Sequence, residues 1–183
     1  MDPISSAGPI KQTALLLLYG WGYNFYREEN KLRADDLLIR NKVSGILSAA
    51  RAHLSALEND WRREFLPPPT RDQPFPDRKM VDQAKRIERG GQNIEQVATA
   101  INGAETPTND KIWLRHRSER GLLEVLQAID TNLIDAAVGF HDLVIEWDRT
   151  QVSDPGIETV IGEGLKPLKL IVKERAERLT LMV

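Results

Sequence analysis

From Val43 to Phe65 the apolar residues Val43, Leu47, Ala50, Leu54, Leu57, Trp61 and Phe65 return at intervals of four and three. A helix of 3.6 residues per turn brings such positions onto one face, so the spacing predicts a helix with one buried stripe. "LPPPTRDQPFP", residues 66–76, stops it, because proline lacks an amide donor and clashes with the preceding turn. The pattern resumes near Asp77 with Met80, Ala84, Ile87, Gly91, Ile94, Ala98 and Ile101. Gly90 and Gly91 interrupt it, each costing about 1 kcal/mol against alanine in a helix. They predict either a break or the close approach of a neighbouring backbone. "NGAETPTND", residues 102–110, reads as a second loop, with Asn102-Gly103 as the stop.

The longest seam follows: Leu122, Leu126, Ile129, Leu133, Ala137, Phe140, Val144 and Trp147. Its helix could begin as early as Asn109 and kink between Ser118 and Gly121. Asp154 is read as an N-cap with Pro155 at the first helical position. A short helix through Ile157, Val160 and Ile161 then runs to Gly164, and Pro167 restarts a last one carrying Leu168, Ile171, Val172, Ala176 and Leu179. Trp61, Trp113 and Trp147 are expected in the core.

Ahead of these helices, "YGWGYNFY", residues 19–26, holds five aromatics in eight positions. Tyr19, Trp21, Tyr23 and Phe25 alternate with small and polar residues, as in a strand, yet they continue an apolar run from Ala14. No other stretch alternates, and a lone strand would leave its backbone unpaired. Residues 9–29 are therefore predicted to be helical, and apolar around most of the circumference. Such a helix is buried in protein or in lipid. Ala14 to Tyr26 would make about 20 Å of helix, short of the roughly 30 Å hydrocarbon layer. The following "REENKLR" and the weakly charged start do not fit a secretory signal.

The fold expected is all-α: an up-down bundle of four long antiparallel helices plus a C-terminal helix, forming a single domain over residues 1–183. The apolar ending "LTLMV" predicts that the natural protein continues. Charge divides by helix. Gly121 to Asp148 carries acids and no lysine or arginine, whereas Arg78–Arg89 and Lys166–Arg178 are each net basic. An acidic helix flanked by two basic ones is one reading; solvated faces that happen to differ in sign are the other.

Catalytic and metal motifs are missing. The absence of cysteine excludes disulfides, thiol catalysis and thiolate metal sites. His53, His116 and His141 follow Ala50, Trp113 and Val138 by three positions, so no Glu-x-x-His pair exists for a dimetal bundle. His116 before Arg120-Gly121 only approaches a phosphotransfer pattern, and a solvated histidine explains it better. His141 is read as a boundary residue beside Phe140. No glycine-rich phosphate loop or nucleophile elbow occurs. The expectation is no enzyme and no cofactor, and a net charge of −2 argues against nucleic acid.

Two stretches remain as candidate contact sites. Leu15, Leu16, Leu18, Tyr19, Trp21, Tyr23, Phe25 and Tyr26 form an apolar surface with tyrosines suited to a headgroup layer or to a protein partner. Lys111, Arg115, Arg117 and Arg120 interleave with Ile112, Trp113 and Leu114 and could meet lipid headgroups; an ordinary amphipathic helix start with Trp113 in the core is the plainer explanation.

The order of these elements resembles a known family. A short apolar first helix precedes "VSGILSAARAHLSALENDWRREF", then come a proline-rich loop, a third helix, "KIWL", and "GLLEVLQAIDTNLIDAAVGF". Over roughly residues 10–145 this is similar to the HeLo-type four-helix-bundle domains that begin fungal and plant cell-death proteins. The resemblance implies a non-enzymatic domain that homo-oligomerises and delivers its first helix to membrane lipid; a cytoplasmic setting is expected from the lack of cysteine. The chain departs from that expectation in having only Lys11 as a base ahead of the apolar run. An adaptor or chaperone bundle with a protein partner is the alternative.

Overall fold

A computed structural model describes residues 29–71, 74–104 and 120–180. They form α1 (Glu29–Phe65), α2 (Arg78–Asn102), α3 (Arg120–Ile145), the short α4 (Arg149–Ser153) and α5 (Ile157–Thr180), with no strand among them. The all-α bundle expected from the periodicity is the fold. The helix predicted for residues 9–29 lies outside the described residues, and α5 supplies the fourth long member of the ring.

The principal contacts run α1 to α2, α2 to α5, α5 to α3 and α3 to α1. Pairs of touching residues set the directions. Arg40 meets Asn102 and Arg51 meets Gly91, so α1 and α2 are antiparallel. Gln83 meets Asp154 and Gly90 meets Ile161, so α2 and α5 are parallel. Gly164 meets Phe140 and Arg175 meets Asp130, so α5 and α3 are antiparallel. It follows that α3 runs parallel to α1. Long helices alternate up and down along the chain, but two of the four lateral contacts are between parallel neighbours, and α2 and α3 stand on a diagonal with no principal contact between them.

The core is the intersection of the predicted stripes. Val43, Leu47, Ala50, Leu54, Ala84, Ile87, Ile94, Ala137, Val144, Ile161, Leu165 and Leu168 are wholly buried. Trp61 and Trp147 are buried as expected; Trp113 lies outside the described residues. The stripes fray at their ends: Phe65 is 39% exposed, stacked at 4.8 Å on Trp61, and Val160 is 46% exposed. His141, expected at a boundary, is instead buried, its Nδ1 3.1 Å from Asp142 Oδ1.

The glycine pair does not break α2. Asp77 caps this helix by accepting from the Lys79 amide at 2.8 Å, and Gly103 closes it with its amide on Thr99 O, also 2.8 Å. A Cβ on Gly90 would sit 2.4 Å from Ile161 Cδ1, and one on Gly91 2.7 Å from Arg51 Nε. Side chains rather than a backbone use the room. Gly164 admits the Phe140 ring in the same way, at 2.9 Å from its would-be Cβ.

Pro167 does not restart a helix; α5 passes through it unbroken. Proline there removes the bond to Glu163 O, at a cost of about 3 kcal/mol in a helix interior. Ile161, Leu165 and Leu168 are fully buried on both sides of it, while Pro167 faces solvent. Burial of about 1.5–3 kcal/mol per large aliphatic side chain outweighs the missing bond.

One end of the ring is closed by α4. Asp148 and Gln151 form a capping box at its start. Trp61 Nε1 donates to Ser153 Oγ at 3.2 Å, Arg149 pairs with Glu64, and the buried Gln83 donates to Val152 O and Asp154 O at 2.7 and 2.9 Å. Asp154 Oδ1 accepts from the Gly156 amide, and α5 begins just beyond, at Ile157 rather than Pro155.

The acidic α3 has one basic neighbour, not two. Arg175 of α5 lies 3.5 Å from Asp130 of α3, both side chains 6% exposed. The basic α2 is diagonal to α3 and finds its acids elsewhere: Arg89 binds Glu158 of α5 at 3.0 Å.

Candidate functional site

At the end opposite α4, Arg40 of α1 donates through Nη1 to Asn102 O at 3.0 Å and also to Ala104 O. A guanidinium there satisfies carbonyls that a helix C-terminus leaves open. This bond pair fixes the level at which α2 stops. From Arg40, α1 continues to Glu29 for about 16 Å at 1.5 Å per residue. His53 Nε2 lies 3.2 Å from Trp147 O, so counting back along parallel helices sets residue 123 level with Glu29 and Arg120 about one turn beyond it. Glu29 and Arg120 therefore stand near one level, and Ala104, held at Arg40, lies about 16 Å short of it in the same half of the bundle, away from α4.

Leu15, Leu16, Leu18, Tyr19, Trp21, Tyr23, Phe25 and Tyr26, with Lys111, Arg115 and Arg117, lie outside the described residues. Arg120 is the first residue of α3. No described helix is long and apolar enough to cross a membrane. No group of three or more His, Asp and Glu side chains is gathered to hold a metal among the described residues.

A cleft of about 390 Å³ opens between α1 and α2. Ser44, Ser48, Arg51 and Ser55 line it from α1, and Glu95 and Thr99 from α2. Small neighbours, Ala52 and Ala98, leave it unfilled. Arg51 is fixed twice. Its Nη1 donates to Ser55 Oγ, and its Nε and Cζ rest where a Cβ on residue 91 would be. Arg51 Nε is buried with no hydrogen-bond acceptor. The arrangement is one cation, four hydroxyls and a carboxylate at the rim.

Sequence reasoning passed over this cleft, although a signal exists. Ser44, Ser48, Arg51 and Ser55 each directly follow a core residue, Val43, Leu47, Ala50 and Leu54, so a polar stripe shadows the apolar one. Glu95 and Thr99 follow Ile94 and Ala98 in the same way.

No family model, no curated protein and no solved structure matches this chain.

Proposed function

We propose that this chain is a non-enzymatic helical-bundle signalling domain that self-associates and targets membranes through its apolar amino-terminal segment, in the manner of the cell-death domains it resembles. One observation carries the reading. Arg40 ties the exit of α2 to the amino-terminal third of α1, so the apolar run ahead of Glu29 and the basic "KIWLRHRSER" between Ala104 and Arg120 depart from the same half of the bundle. Apolar anchors next to bases are the combination that holds a domain at a lipid surface. The opposite end is taken up by α4. A run of thirteen apolar-rich positions is too short to span alone, which favours several copies acting together.

An adaptor reading is favoured by Leu37 and Leu38, 42% and 40% exposed on α1 beyond the level where α2 stops. They offer a protein partner apolar surface in that same half. Dye leakage from liposomes separates the two. The full chain should release dye, and a chain lacking residues 1–28 that still unfolds cooperatively should not. No leakage by the full chain, with loss of cooperative unfolding on truncation, would favour the adaptor.

A further inference from the structure

We infer that the α1–α2 cleft is a binding site for a phosphate ester that also carries an ammonium group. Arg51 supplies the first half of the argument. Among the described residues no carboxylate stands within ion-pair distance of it, although Asp, Glu and Arg elsewhere in the ring are paired. A partly buried guanidinium without a counter-charge is costly. Yet α2 carries Gly91, a poor helix former, at the one place that admits this group. Guanidinium with surrounding hydroxyls is the chemistry that grips a phosphate oxygen fork. Ser44, Ser48 and Thr99 line the same cleft and provide those hydroxyls.

Glu95 supplies the second half. It follows Gly91 by one helical turn, so its Cβ stands about 6 Å further along α2, and it takes no ion pair among the described residues. A carboxylate so near repels a bare phosphate dianion and attracts an ammonium. The volume points the same way: about 390 Å³ exceeds what inorganic phosphate fills and falls within the range of small-molecule sites. Both a soluble phosphate ester and a lipid headgroup present this pair of charges.

Calorimetry on the full chain tests the site with O-phosphoethanolamine, inorganic phosphate and ethanolamine. O-phosphoethanolamine should bind saturably and more tightly than either fragment. Arg51→Met should weaken it by about tenfold or more. Glu95→Gln, at an exposed position that leaves the fold intact, should erase its advantage over phosphate. Equal affinity for phosphate and O-phosphoethanolamine, no effect of Glu95→Gln, or no saturable binding overturns the assignment. Vesicles of phosphatidylethanolamine mixed into phosphatidylglycerol, against phosphatidylglycerol alone, identify the source. An Arg51-dependent gain marks a headgroup; binding of the soluble ester alone marks a metabolite. Leakage that depends on residues 1–28 in a chain that binds no O-phosphoethanolamine leaves the membrane reading standing without this one; Arg51-dependent binding in a chain that releases no dye does the opposite.

Discussion

Gln83 is buried, with its amide nitrogen shared between Val152 O and Asp154 O. These carbonyls stand at the end of α4 and in the turn to α5, where Asp154 O also accepts from the Ile157 amide at 3.1 Å. Gln83→Leu keeps the volume and removes both bonds. It should cost about 1–3 kcal/mol in urea unfolding, since the buried Val152 O loses the donor that Gln83 gives it and Asp154 O keeps only the Ile157 amide; Gln92→Ala, on the exposed face, should stay within about 0.5 kcal/mol. Asp148 makes a prediction about acid. The Thr150 amide, 2.6 Å from its carboxylate, holds its pKa below the ordinary 3.8. A carboxyl with a depressed folded pKa stabilises the native state above its unfolded value, and that contribution fades as pH falls through the folded one. The advantage of wild type over Asp148→Ala should therefore be constant at neutral pH and shrink on acidification below 3.8, read from urea midpoints across that range. At this scale the sequence was legible where residue type alone decides. The burial of Trp61 and Trp147 and the helix start near Asp77 were readable. The Arg51 cleft was legible only as a polar stripe behind the core positions of α1, because the room for its guanidinium comes from a glycine on another helix.

Elements were more legible than residues, since a stripe of buried positions repeats over many turns. The stripes of α1, α2 and α3 could be read directly from intervals of three and four. α4 could not, because five residues carry no periodicity, although Asp148-x-x-Gln151 is a capping-box signature. Pro167 misled for a physical reason. Proline marks helix starts when nothing else intervenes, but here buried aliphatics on both sides hold the helix together across it. Pro167→Ala restores a bond inside a continuous helix and should raise stability by about 1–3 kcal/mol, visible as a higher Tm. An unchanged or lowered Tm would mean that two helices meet at Pro167, as the sequence alone implies.

At the scale of the whole molecule, periodicity gives the number of helices and says nothing about which of them touch. Charge was the only guide to neighbours, and it was half right: α5 lies beside α3, with Arg175 against Asp130, while α2 sits across the diagonal. Both sites discussed above depend on that arrangement. The parallel pairing brings Glu29 and Arg120 to one end, and the antiparallel contact of α1 with α2 aligns Arg51 with Gly91.

The contact pattern divides the described helices into two antiparallel hairpins, α1 with α2 and α3 with α5, and the parallel faces are the seam between them. Hairpins of low contact order form early, and their docking comes late. A polypeptide ending at Ala104 and another beginning at Arg120 hold between them every helix of the ring, so the two should reconstitute when mixed. By the same logic two whole copies can exchange halves. Such a swapped dimer would reuse the monomer's own interior seams and require no new surface at all.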